Sequence, residues 1–133
     1  MSHLSTKSIE NFAAFDLYSD KFCAPAIHCA YYSCFQKLSA YLKAEQPEGY
    51  DAICIRWQDG KGSLHSGILG LASDTLRAID KDDAKSLKTM LTDLKTFRVK
   101  SDYLDEEVTK DDVGDAKKFL TKINLILKRH LRC

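Results

Sequence analysis

Arg98, Asp102 and Tyr103, followed by the acidic run Asp105-Glu106-Glu107, are the residues of this chain whose types and spacing best suit chemistry. A guanidinium offers five donors in a fixed fork, matched to a phosphate or to a partner's carboxylate. The competing reading is an intramolecular clamp, Arg98 to Asp102 or Asp105, closing a helix end. Tyr103 either orients that arginine, faces a partner, or wedges between helices with its hydroxyl satisfied. His65 stands at a predicted helix start, where an imidazole titrating near neutral pH can act as a base or simply occupy a polar turn. Arg56 and Trp57 form an aromatic–cation pair in a turn-rich stretch, a composition suited either to a partner contact or to a loop tryptophan folded over the bundle.

His28 with Cys23, Cys29 and Cys34 has the residue types of a zinc site. Adjacent helical positions point about 100° apart, and no Cys-x-x-Cys spacing occurs, so the reading is small core cysteines and a satisfied histidine. No metal and no cofactor is expected. Tyr31, Tyr32 and Phe35 could stack on bases, but their helical spacing and apolar neighbours favour packing. Lys110, Lys117, Lys118, Lys122 and Lys128 read as a solvated helix face, interrupted by Asp111, Asp112 and Asp115.

The elements that must position these groups follow from hydrophobic spacing. Ile9, Phe12, Ala13, Asp16, Leu17 and Phe22 suggest a first helix, with Ser5 or Thr6 as its cap. After Pro25, the residues Ile27, Ala30, Tyr31, Cys34, Phe35, Leu38, Tyr41 and Leu42 give the strongest helical face, ended by Pro47. From Pro47 to Gly62 the pattern changes: Ala52 to Trp57 is strand-like, Asp59-Gly60 marks a turn, and the stretch reads as an irregular insertion. Ser63 caps a third helix through Ile68, Leu69, Leu71, Ala72, Leu76 and Ile79. Asp80 to Asp83 open a fourth, through Ala84, Leu87, Met90, Leu91, Leu94 and Phe97, which ends at Arg98. Thr109 with Asp112 opens a fifth, whose face is Val113, Ala116, Leu120, Ile123, Leu127 and Leu131, with Lys128, Arg129 and Arg132 against its dipole. The expected fold is all-α: a single domain, an antiparallel four- to five-helix up-and-down bundle with one irregular loop after the second helix.

The 133 residues suffice for one domain with a real core. Twenty basic and 19 acidic residues leave a formal net charge of +1, so no global field draws the chain to nucleic acid or anionic lipid. No apolar run approaches a membrane span, the first residues lack a signal peptide's apolar centre, and the odd set Cys23, Cys29, Cys34, Cys54 and Cys133 suits reduced thiols. A cytoplasmic location without membrane contact is the expectation.

Three segments taken in order resemble the HEPN superfamily, small helical bundles of toxin–antitoxin and nucleotidyltransferase-associated proteins. They are the Tyr31-Tyr32-x-x-Phe35 element, His65-Ser66-Gly67, and Arg98 followed by Asp102-Tyr103 and the acidic run. The nuclease members carry an arginine followed a few residues later by histidine, thought to act on an RNA 2′-hydroxyl at a dimer interface. Here Tyr103, Leu104 and Asp105 occupy those places, and tyrosine titrates too high for a good base at neutral pH. The resemblance therefore implies a non-catalytic binding or regulatory module, dimeric, with a nucleotidyltransferase as a protein partner. The alternative it implies is a metal-independent, toxin-like endoribonuclease acting on RNA through Arg98 with Tyr103 or His65. A third expectation is that the Trp57 loop recruits another protein.

Overall fold

The computed structural model describes residues 2–130 and contains six α-helices: α1 (His3–Tyr18), α2 (Cys23–Glu45), α3 (Pro47–Gln58), α4 (Leu64–Arg77), α5 (Lys81–Tyr103) and α6 (Lys110–His130). The expected positions Leu131, Arg132 and Cys133 lie outside the described residues. The fold is an all-α bundle. α2 is its central element and packs against each of the other five helices. Ile27, Leu38 and Leu42 from α2 meet Ile68 and Leu76 of α4, Leu87 and Leu94 of α5, and Leu120, Ile123 and Leu127 of α6 in one fully buried core. No helix of the described residues is long and apolar enough to cross a membrane.

Local capping fixes where the helices begin. The Asp80 carboxylate accepts from the backbone N–H groups of Asp82 and Asp83, and the Ser63 hydroxyl accepts from Ser66 N–H, as their sequence positions predict. At α6 the capping box closes in both directions: Thr109 Oγ1 accepts from Asp112 N–H at 3.2 Å and Asp112 Oδ2 accepts from Thr109 N–H at 3.1 Å. Lys100 Nζ donates to the same carboxylate at 3.0 Å, tying the end of α5 to the start of α6.

Several expectations need correction. The stretch from Pro47 to Gly62 is not an irregular or strand-like insertion, because Pro47 both ends α2 and begins α3, where its fixed φ suits a first helical turn. The half-buried residues of α3 are Gly49, Tyr50, Ile53 and Cys54, a helical spacing, while Ile55 and Trp57 point outward. α3 and α4 approach through glycines: a Cβ at Gly67 would lie 2.6 Å from Ile53 Cγ2, and one at Gly49 3.2 Å from Leu71 Cδ2.

The first helix is capped by Ser2 rather than Ser5 or Thr6, and it faces the other way round. Its buried residues are Ser8 and Phe15, whereas Ile9, Phe12 and Leu17 are exposed. Close approach to α2 explains this, for Ser8 Oγ donates to the Ser33 carbonyl at 2.6 Å and Ser33 Oγ donates to the Ser8 carbonyl at 3.0 Å. Two small hydroxyl residues let the backbones meet, Phe15 packs into the core, and Ile9, Phe12 and Leu17 are left outside. The fourth predicted helix, α5, does not end at Arg98 but continues to Tyr103, so the arginine sits inside a helix. Ile79 lies beyond the end of α4 and is exposed.

Candidate functional site

Continuation of α5 to Tyr103 places Arg98 and Asp102 one turn apart, with Tyr103 beside them. Arg98 Nε lies 3.4 Å from Asp102 Oδ2, and Arg98 Nη2 donates to the Tyr103 hydroxyl at 3.2 Å. The guanidinium carbon stands 5.5, 5.4 and 5.4 Å from the ring centroids of Tyr31, Tyr32 and Tyr103, within cation–π reach of all three. Nε is buried without a hydrogen-bond partner, since the Asp102 oxygen is close enough for charge attraction but outside hydrogen-bond geometry.

α2 supplies the opposing wall, and the spacing of its residues is what builds it. His28, Tyr31, Tyr32 and Phe35 lie at i, i+3, i+4 and i+7, one face of a helix. His28 Nδ1 sits 3.0 and 3.2 Å from the two Asp102 oxygens, and its ring lies 4.7 Å from that of Tyr32. His28 is thus a satisfied histidine, but one that stands at the surface: the side chain is 47% exposed and paired with a carboxylate. Ser101 Oγ donates to the Arg98 carbonyl and to Asp102 Oδ1, steadying the acid from its own helix.

α4 contributes His65, whose Nδ1 lies 2.5 Å from the Tyr31 hydroxyl and whose ring stacks on Phe35 at 4.5 Å. Burial, then the positive charges of Arg98 and Lys95, hold His65 below the ordinary imidazole range. Burial pushes the Tyr31 phenol far above its ordinary range, although Arg98 pulls it the other way. The pair therefore stays neutral at physiological pH, and a phenol donating to Nδ1 leaves the imidazole proton on Nε2. Beside it, Lys95, Leu38 and Leu91 help line a cavity of about 10 Å³, room for about one water.

The structure thus gathers Arg98, Asp102 and Tyr103 directly and joins His65 to them through Tyr31. It leaves Arg56 and Trp57 apart on α3, where Arg56 Nη2 donates to the Lys61 carbonyl at 3.4 Å and Trp57 is exposed. Sequence reasoning missed His28, although its spacing from Tyr31 and Tyr32 was the available signal. Burial raises the thiol of Cys29 and pushes that of Cys34 up to about 12. Both thiols thus stay protonated at physiological pH.

A second titratable cluster joins the start of α5 to the end of α6. Asp80, Asp83 and His130 have ligand atoms within 4.8 Å of one another, a spacing that could hold a cation. However, the Asp83 carboxylate already pairs with His130 and, at 3.0 Å, with the Arg129 guanidinium. Those partners make it an interhelical clamp. Comparison with protein-family models, curated proteins and solved structures finds no match to the chain.

Proposed function

We propose that this chain is a HEPN-like domain that works as a non-catalytic binding or regulatory module, self-associating, with a nucleotidyltransferase as its class of protein partner. One observation carries the choice of a module over an enzyme: the charge of Arg98 is used inside the protein. Its side chain is only 11% exposed, enclosed by Asp102 and three tyrosine rings and bonded to Tyr103. An arginine so enclosed positions its neighbours rather than gripping a phosphate. What it positions is an exposed patch, with Tyr103 70% accessible and the His28–Asp102 pair beside it. The acidic run Asp105-Glu106-Glu107 next to the patch repels a polyanion and suits a partner protein better than RNA.

A second reading, a metal-independent endoribonuclease, draws support from His28. This residue enters from α2 where the family-like segment of α5 lacks a histidine, and Asp102 at Nδ1 orients it with Nε2 left for proton transfer. His65 is the less suitable base, because its Nδ1 is already engaged by Tyr31.

One experiment separates the two. Purified protein and its Arg98→Ala, His28→Ala and Tyr103→Ala variants are incubated with total cellular RNA and transfer RNA without added metal, and a parallel sample is tested for capture of a purified nucleotidyltransferase. The module reading expects intact RNA throughout and capture weakened by Tyr103→Ala. Cleavage by the wild type that His28→Ala abolishes would replace it with the ribonuclease reading.

A further inference from the structure

Two exposed features of opposite character remain outside the site already described. The first is the outward face of α1. At about 100° per residue, Ile9, Phe12, Ala13, Asp16 and Leu17 fall in one sector of α1 that runs from beside the buried Ser8 and Phe15 round to the far side, and Asp20 follows in the turn after the helix. All six are exposed, and neither Asp16 nor Asp20 has an ion-pair partner among the described residues. The helix thus presents an apolar stripe that carries Asp16, with Asp20 just beyond its end, while its main packing is against α2.

The second is a groove of about 460 Å³ between α5 and α6. Met90, Leu125 and Ile126 supply apolar lining, and Lys85, Lys122 and Arg129 line it with positive charge. Arg129 is shared with Asp83, but Lys85 and Lys122 have no ion-pair partner among the described residues. The two features also match in length. Ile9 to Leu17 rises about 12 Å along α1, and the α5 side of the groove, Asp83 to Met90, rises about 10 Å.

We infer that the outward face of α1 from one copy docks in the α5–α6 groove of a second copy, a helix-in-groove contact with acidic residues meeting Lys85 and Lys122. This goes beyond the proposed module activity and stands apart from the Arg98 cluster. The contact joins unlike surfaces, so two copies close as a symmetric dimer when both contacts form within one pair. Otherwise each pair leaves one face and one groove free.

The test uses two charge-reversed variants of the full chain, Asp16→Lys/Asp20→Lys and Lys85→Glu/Lys122→Glu, all at exposed positions, with folding checked by far-ultraviolet circular dichroism. Association is measured by light scattering after size exclusion and by sedimentation velocity at increasing protein and salt concentration. Wild type should associate less as salt rises. Each variant alone should associate at least about tenfold more weakly. An equimolar mixture should recover association, because reversed α1 faces then meet reversed grooves and native faces meet native grooves. A monomeric wild type, association indifferent to either variant, or a mixture no better than its components would each overturn the inference. Since neither variant touches His28, Arg98 or Tyr103, loss of the docking contact and failure of the module reading register in different assays.

Discussion

Replacing Arg98 with methionine is the sharpest test of the site, since methionine keeps the aliphatic packing but removes the charge and the fork. The arginine side chain is 11% exposed and its Asp102 partner 21%, so solvent screening is incomplete on both sides. The lost hydrogen bond to Tyr103 and the ion pair to Asp102 together contribute about 1.5–3 kcal/mol. Loss of the cation–π contacts over the enclosed Tyr31 and Tyr32 rings adds about 1 kcal/mol. His28 still holds Asp102, so the carboxylate is not left alone, and the variant is relieved of the unpartnered Nε, which offsets about 1–3 kcal/mol, so the net loss is about 1–2 kcal/mol. For a domain of this size that corresponds to a melting temperature lower by roughly 5 °C. Urea unfolding followed by circular dichroism measures it. A second readout does not depend on stability. Arg98 is one of the two cations that depress His65, so the imidazole should titrate closer to its ordinary value in the variant, while burial retains part of the shift. Arg98→Lys should restore the charge effect on His65 but not the bond to Tyr103. A stability loss under about 0.5 kcal/mol, the range of an exposed pair, with His65 unmoved would refute the enclosure of Arg98.

Three further outcomes follow from the same geometry. Because His65 is held below its ordinary range, the unfolded chain binds its proton more readily. Its contribution to stability is therefore full above about pH 6.5 and lost as pH falls below that. His65→Phe, which retains stacking on Phe35, should flatten this part of a stability–pH profile. Gly67→Ala forces a Cβ against the branched Ile53 side chain, an overpacking cost of about 1–3 kcal/mol against a helix-propensity gain of up to about 1. Hydrogen exchange should show lost protection concentrated in α3, with Ile53→Ala in the same chain restoring it. Asp112→Ala removes half of the α6 capping box and the Lys100 partner, and should cost about 1–2 kcal/mol near neutral pH. The Thr109 N–H and Lys100 hold that carboxyl below the usual range, so its contribution fades as pH falls below about 4, which acid titration of both proteins would reveal.

How much of this was legible in sequence depended on whether the deciding interaction was local. The caps Ser63 and Thr109–Asp112 could be read because each acts within three residues, and α2 could be read because its apolar spacing is long and regular. α3 was hidden because its bundle-facing positions include Gly49 and Cys54 beside Tyr50 and Ile53 while two large apolar residues, Ile55 and Trp57, face away, so alternation outweighed helical period. α1 was reversed for a related reason: its contact with α2 rests on the Ser8–Ser33 exchange, which a hydrophobicity pattern scores as polar. In the site, the grouping of Arg98, Asp102 and Tyr103 followed once the helix continued past the arginine. The pairing of His28 with Asp102 spans 74 positions and required the fold.

The cost of Arg98 is itself an argument about what the cluster is for. Its buried Nε has no hydrogen-bond partner, and leaving a buried donor unmet costs about 1–3 kcal/mol. A bundle shaped by stability alone could fill the same space with apolar side chains, which often do as well as or better than a buried ion pair. Nor does closing a helix end require a guanidinium, since Arg98 lies inside α5 with its helix continuing to Tyr103. What the arginine achieves, and an apolar residue would not, is to hold three things at once. It fixes the exposed Tyr103 hydroxyl, the carboxylate that orients His28 on α2, and the Tyr31 ring whose phenol meets His65 on α4. The exposed half of the cluster is thus set by a buried half that spans three helices, an arrangement that fits preorganised recognition better than packing.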